Sequence, residues 1–483
     1  MGVSTRAALS LTAGRAVGFA AAFAIPVVLA RTLTQEEFGV YKYLFLVATT
    51  LGCLQLGMAE SLYYFVPRAR DSAGRHVANA LTTLLAIGIA IVAVAFMTPA
   101  VVPAATDGVL ARYLPWIAIY LAGTLLAAPL EIVMVSRLQY RAAAVTYAVS
   151  DLVRAALLIA PGLMLRDALA VLAGAVVFAV LRSAGALLYL ARAFGRGLRI
   201  DRGLWRSQWA YALPFSVAVI IETAQFNLHQ YIVWARFDPA TFAIYAAGCL
   251  QVPIVDLFAM SVANVLMVRM GERAGHTAPP LDLWHGAVTR LAFVLVPLTA
   301  ALMVTAPDLI AFVFTPAYLG AVPVFRVSIL LILLAALPID AVLRVHAQTR
   351  FLIGMNVMRL AIVAGSIGWA LATFHLPGGM AVTVVATAVA KLVALVRVGQ
   401  LLGARAPHLL PWRHLAGIAA AALLAAIPAV WLHAQMTLPP FGRGALTAVA
   451  YGLLYLALLA PFIARRAAVR AATRERAALR AEL

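Results

Sequence analysis

Charged side chains lie inside stretches that are otherwise Ala, Val, Leu, Ile and Phe, and they are the residues here with chemistry to offer. Arg15 stands alone in one apolar run, Asp151 and Arg154 share a helix face in another, and Arg182, Asn356, Arg359, Lys391 and Arg397 punctuate three more. The acids at comparable depth are Glu60, Glu131, Asp151, Glu222, Asp256 and Asp340. Glu222, Gln225 and His229 follow at three- and four-residue spacing and form a polar stripe with Asn227 and Gln230 beside it. An ionisable group in hydrocarbon costs about 3 kcal/mol or more, so each needs a partner, a wet cavity or an escape to the membrane edge. Guanidinium and ammonium groups in a cavity would hold phosphate oxygens, and hydroxyl and amide groups would suit sugars. Arg15, Arg154, Glu222, Gln225, His229, Asn356, Arg359 and Lys391 are the expected cavity contacts, and Glu60, Glu222 and Asp256 the candidates for ion coupling. The competing reading pairs these bases with the acids or lets Arg15, Arg182 and Arg397 snorkel to the cytoplasmic edge. Asp340 and Arg344 have the spacing of a structural pair, and Glu36 and Glu37 read as solvated loop charges.

Catalytic signatures are missing. The nine His residues show no HExxH or Cys/His spacing, and no GxxxxGK[ST] run occurs, so neither a metal site nor direct use of ATP is expected. Cys53 and Cys249 both fall in apolar segments and read as buried small hydrophobes. No catalytic residue or cofactor is assigned; a proton gradient, a sodium gradient and the membrane potential are all open as energy sources.

The elements that must position these residues are membrane spans. Of 483 residues, 64% are hydrophobic and 11% charged, where soluble domains carry roughly 25% charged residues. Fourteen apolar runs are long enough to cross a core about 30 Å thick as helices: 11–30, 43–66, 78–102, 113–135, 146–165, 168–191, 209–235, 242–268, 286–306, 323–343, 351–374, 380–402, 415–432 and 444–464. The expected fold is an all-α polytopic membrane protein. The first run is long enough to span and no A-x-A-like site ends it, so no cleaved leader is expected. The net charge of +19 is spread through short loops instead of forming a stripe with interleaved aromatics, which argues against nucleic acid. Arginines gather in alternate loops, from Arg68, Arg70 and Arg75 to Arg405 and Arg413, and in the tail from Arg465 to Arg480. The bias is roughly three or four to one, which puts those loops and both termini in the cytoplasm. The tail reads as an amphipathic helix near anionic lipid or a solvated one, and PDLIAFVFTPAY (307–318) and HLPGG (375–379) read as short outer loops.

The chain also repeats itself. LARTLTQEEFGVY (29–41) and WARFDPATFAIY (234–245) share Ala30, Arg31, Phe38 and Tyr41 with Ala235, Arg236, Phe242 and Tyr245. The copies follow spans one and seven, an even number apart, so they share an orientation and predict a parallel repeat. Residues 1–208 and 209–402 would form two pseudo-symmetric six-helix lobes around a central cavity, with two more helices and the basic tail in 403–483.

LARTLTQEEFGVYKYLFLVATTLGCLQLGMAESLYYFVPR (29–68) resembles the first outer loop and second span of polysaccharide transporters. These are the oligosaccharide flippases of the multidrug/oligosaccharidyl-lipid/polysaccharide exporter superfamily. Residues 211–248 are similar to their seventh and eighth spans, with His229-Gln230 where many relatives carry Asp-Arg or Asp-Lys. The resemblance implies export of a lipid-linked glycan repeat unit, on a polyprenyl pyrophosphate, across the bacterial inner membrane. Membrane lipids, a polysaccharide polymerase and other assembly proteins are the implied partners. A multidrug cation antiporter of the same superfamily is the alternative, for which the cavity should be acidic or apolar. A membrane-embedded glycosyltransferase or ligase is less favoured, because no loop exceeds about 18 residues and such enzymes need room for a donor or acceptor.

Overall fold

The computed structural model describes residues 18, 20–101, 109–272 and 281–460. Every regular element among them is helical: α1 (Ala20–Thr32), α2 (Gln35–Leu51), α3 (Met58–Arg68), α4 (Ala73–Val101), α5 (Val109–Ala127), α6 (Pro129–Ser136), α7 (Tyr140–Leu165), α8 (Ala168–Phe194), α9 (Arg202–Arg236), α10 (Pro239–Gly248), α11 (Pro253–Glu272), α12 (Leu281–Val313), α13 (Val322–Ser328), α14 (Leu330–Ala335), α15 (Ile339–Val345), α16 (Thr349–Leu401), α17 (Ala406–Leu409), α18 (Trp412–Gln435) and α19 (Pro440–Ala460), with short 3₁₀ turns between some of them. Among the described residues eleven helices are long and apolar enough to cross a membrane, and twelve when the bent pair Gln35–Gln55 and Met58–Arg68 counts as one span. Large apolar side chains such as Leu163, Met164, Leu423, Ile427 and Trp431 are exposed, which lipid tolerates and water does not. The protein is an all-helical polytopic membrane protein.

Several spans are not the continuous rods that hydropathy suggests. The second bends by 41° where Gly52–Gln55 tighten into a 3₁₀ turn and Leu56 (φ 51°) and Gly57 (φ 63°) turn left-handed. The expected span 113–135 breaks before Pro129, the span 242–268 breaks between Gly248 and Pro253, and the span 323–343 is cut into α13, α14 and α15, the last break at Pro338. Pro129 and Pro253 start α6 and α11, and Pro338 is the N-cap of α15, positions where a missing N–H costs nothing. One of the two expected outer loops is corrected: α12 continues through Pro307 and Asp308 to Val313. The other, 375–379, coincides with a kink within the run Thr349–Leu401 that makes up α16. At about 1.5 Å per residue, the 53 residues of α16 would be roughly 80 Å long, more than twice a bilayer core. The single non-helical residue His375 (φ 52°, ψ −144°) divides it.

Backbone contacts divide the chain into two compact units, one ending at Ala246 and the other beginning at Ala247. In the first, α5 packs on α4 and α8, α7 on α8, and α9 on α2, α3 and α4. In the second, α12 packs on α11 and α18, and α16 on α13, α14 and α15. The core of the second unit gathers Trp284, Val288, Leu343, Ala394 and Val398, with the indole N–H of Trp284 donating to the Leu409 carbonyl at 2.8 Å.

Candidate functional site

The broken second span shapes a polar cavity of about 350 Å³ within the first unit, between α2, α5, α7 and α8. Thr49, Gln55, Tyr120, Thr124, Arg154 and Arg182 supply its polar lining. Gln55 donates at 2.7 Å to Glu60, whose second carboxylate oxygen is buried without a partner among the described residues. Arg154 lies 3.4 Å from Asp151, and its Nε is buried with no partner among the described residues. Arg182 does not snorkel: it pairs at 2.7 Å with Glu131, which is buried. Among the described residues no carboxylate lines this cavity.

The polar stripe of α9 divides along its length. Glu222 is exposed, while Gln225 and His229 are buried. The His229 ring meets the Tyr245 hydroxyl at 2.7 Å, and Asn227 donates to Thr50 at 2.8 Å. These are contacts between helices, the way membrane bundles satisfy polar groups. Around them the two sequence repeats meet. Thr34 and Asp238 cap the helices that begin α2 and α10, and Phe38 and Phe242 are completely buried four residues later. Tyr43 stacks on Trp234 with centroids 3.9 Å apart, and Phe242 sets its edge against both. Gly39 lies against the carbonyl of Pro239 so closely that a side chain there would collide with backbone.

In the second unit, α11, α14, α15 and α16 enclose a cavity of about 290 Å³, whose polar lining is Asn264, Asp340, Arg344 and Lys391. Lys391 donates to the Leu337 carbonyl at 2.9 Å, beside the Pro338 break. Arg359 donates to Thr387 at 3.0 Å, one turn before Lys391, and is not part of the lining. Arg397 is held by Gln348 and Gln400 in place of reaching for the edge. Asn356 is half-buried and Asp256 exposed at the start of α11. Arg15 and the basic tail from Arg465 lie outside the described residues.

A family profile described as polysaccharide biosynthesis protein matches residues 4–267, more than half of the chain. The chain belongs to that family. Its fold is that of the multidrug/oligosaccharidyl-lipid/polysaccharide exporter superfamily. The lipid II flippase MurJ, in an inward closed conformation, aligns with a TM-score of 0.73 at 12% identity over 95% of this chain and 98% of its own. An inward-facing multidrug resistance transporter of the MATE family aligns with a TM-score of 0.62 at 15% identity, over 82% and 98% of the two chains. A superfamily transporter from Pyrococcus furiosus, described as having a binding pocket of reverse polarity, aligns with a TM-score of 0.56 at 12% identity, over 83% and 95%. No protein of curated function matches the sequence. This member of the polysaccharide biosynthesis family shares its fold with a flippase and with multidrug transporters.

Several polar contacts of this family member have no signal in the sequence. Asp308, read as an outer-loop charge, is buried and takes two hydrogen bonds from Arg443 at 2.6 and 2.9 Å, with His433 3.4 Å away. Glu37 is not merely solvated: its carboxylate accepts the Ala168 N–H at 2.7 Å, adding an acid to the first turn of α8. Asp201 caps α9, and Asn79 exchanges two 3.0 Å hydrogen bonds with its backbone. The Leu204 N–H, then Arg75 and the Gly203 N–H, hold the Asp201 carboxyl below the usual aspartate range. The hydroxyl and N–H of Thr241 do the same for Asp238 at the start of α10.

Proposed function

We propose that this chain is a flippase that moves a lipid-linked oligosaccharide, carried on a polyprenyl pyrophosphate, across the bacterial inner membrane by alternating access. In this reading the membrane carries fourteen spans with both ends cytoplasmic. α16 counts twice, α10 and α11 make the eighth, and α1 belongs to the first. The observation that carries it is the sign of the cavity linings. Arg154 and Arg182 face one cavity with their partners Asp151 and Glu131 outside its lining, and Arg344 and Lys391 face the other beside Asp340, the one carboxylate among the described lining residues. A pyrophosphate cannot shed its water into hydrocarbon, and fixed bases replace part of that hydration. Cavities near 300 Å³ are at the small end for ligand sites, enough for a diphosphate or one sugar and not for a whole repeat unit. Family membership and the likeness to a lipid II flippase support the same substrate class.

A multidrug cation antiporter would present carboxylates to its cargo. Glu60 is the carboxylate best placed for a coupling proton or sodium ion, half-buried behind Gln55, whereas Glu222 and Asp256 are exposed. Reconstitution decides between the two. Proteoliposomes holding the chain should expose a fluorescent polyprenyl-pyrophosphate oligosaccharide to an outside quencher or lectin and should leave an organic cation where it is. Transport of the cation without the glycolipid would overturn the reading.

A further inference from the structure

The break at Pro129 has a counterpart at Pro338. Each proline follows a helix end, and two residues later comes an acid, Glu131 in α6 and Asp340 in α15. Nine residues after each proline the backbone turns left-handed, at Leu138 (φ 63°) and Ala347 (φ 54°). The following glutamine, Gln139 or Gln348, reaches back with its N–H to Met134 or Leu343 at 2.9 Å and opens the next helix. The register that relates Glu131 to Asp340 also relates Arg182 in α8 to Lys391 in α16. Both units therefore carry one acid and one base at matching places on matching helices.

Only the first copy is closed. Arg182 meets Glu131 at 2.7 Å, and the acid is buried. Lys391 donates instead to the Leu337 carbonyl, and among the described residues no ion pair joins it to Asp340. Asp340 is exposed, and the 290 Å³ cavity lies where a closed pair would be, with Arg344 and Asn264 also on its wall. A neutral carbonyl yields an ammonium to a phosphate oxygen far more readily than a carboxylate yields a guanidinium. Lys391 lies about 15 Å from the end of α16, at the middle of the expected span 380–402.

We propose that this second copy has opened into a binding site for a diphosphate, with Lys391 and Arg344 as donors and Asp340 as the charge that limits its affinity, while the first copy remains a structural lock. The proposal rests on the flippase reading only for the source of the diphosphate. It is tested on the full chain in phosphatidylcholine nanodiscs, titrated with inorganic diphosphate, farnesyl diphosphate and phosphatidylglycerol. Both diphosphates should bind, farnesyl diphosphate should bind more tightly than phosphatidylglycerol, and Lys391→Gln should weaken them roughly tenfold or more. Lys391→Arg should restore most of the affinity, and Asp340→Asn should tighten it. Lys391→Gln should unfold at the wild-type temperature, and Arg182→Gln well below it. Unchanged binding in Lys391→Gln, weaker binding in Asp340→Asn, unfolding of Lys391→Gln as early as Arg182→Gln, or equal occupancy by phosphatidylglycerol would each overturn the inference. If glycolipid transport in proteoliposomes is nevertheless observed, the flippase reading survives without this site; if the wild type binds neither diphosphate and carries cations, both fall.

Discussion

Arg443→Met should be among the most damaging substitutions on the rim of the second unit. Arg443 gives two hydrogen bonds to one oxygen of Asp308, whose side chain is 1% exposed. Removing the guanidinium strands a buried carboxylate, and breaking such a pair from one side costs about 3–5 kcal/mol. Arg443 is itself one-third exposed and His433 stays 3.4 Å from the other oxygen, so the low end applies, about 3 kcal/mol. Asp308→Asn keeps the shape and one neutral acceptor and should lose about 1 kcal/mol, the difference between charged and neutral hydrogen bonds. The double variant Asp308→Leu/Arg443→Met removes both charges and should recover most of the loss. Unfolding of the purified protein in detergent, followed by tryptophan emission from Trp412 and Trp431 of α18, reads all three. A stability of Arg443→Met within about 0.5 kcal/mol of wild type, the usual worth of a surface pair, or a double variant no better than the worse single one, would show that the buried charge is not held by this pair.

Asn79→Ala should loosen the junction before α9, because two hydrogen bonds to the Asp201 backbone go with it. A loss of about 2 kcal/mol, with faster protease cleavage between residues 195 and 201, is expected. The Asp201 carboxyl is held low, so its contribution to stability is complete above the ordinary aspartate pKa and is lost as pH falls through its lower folded value. Asp201→Asn should flatten the difference in unfolding temperature between pH 6 and pH 3, and an unchanged pH profile would contradict the cap. Gly39→Ala should cost about 3 kcal/mol, since the new methyl meets the Pro239 backbone and not a movable side chain; a wild-type unfolding temperature would show that α2 and α10 part easily.

Hydropathy made the long spans legible. The expected runs 146–165 and 168–191 lie within α7 and α8, because uninterrupted apolar sequence has only one way to satisfy its backbone in lipid. The breaks were not legible, although Pro129, Pro253 and Pro338 mark three of them, because a window of some twenty residues averages over a four-residue interruption. Asp151 and Arg154 could be paired from spacing alone, and the structure pairs them. Glu131 with Arg182, and Asp308 with Arg443, are brought together only by tertiary packing, and no local pattern announces which acid a distant base will choose. For the same reason the α9 stripe reads as one surface in the sequence, although two of its buried members, Asn227 and His229, are held by Thr50 and Tyr245.

The contact of Gly39 with Pro239, inside a cluster built by Tyr43, Trp234 and Phe242, means that the two copies of the Ala-Arg motif are each other's packing surface. Duplicated segments ordinarily drift apart, since each copy answers to its own surroundings. Here neither can enlarge a side chain or shift its first helical turn without the other making room. An engineer grafting this segment from another transporter would have to move both halves of the pair at once, even though some two hundred residues separate them in the gene.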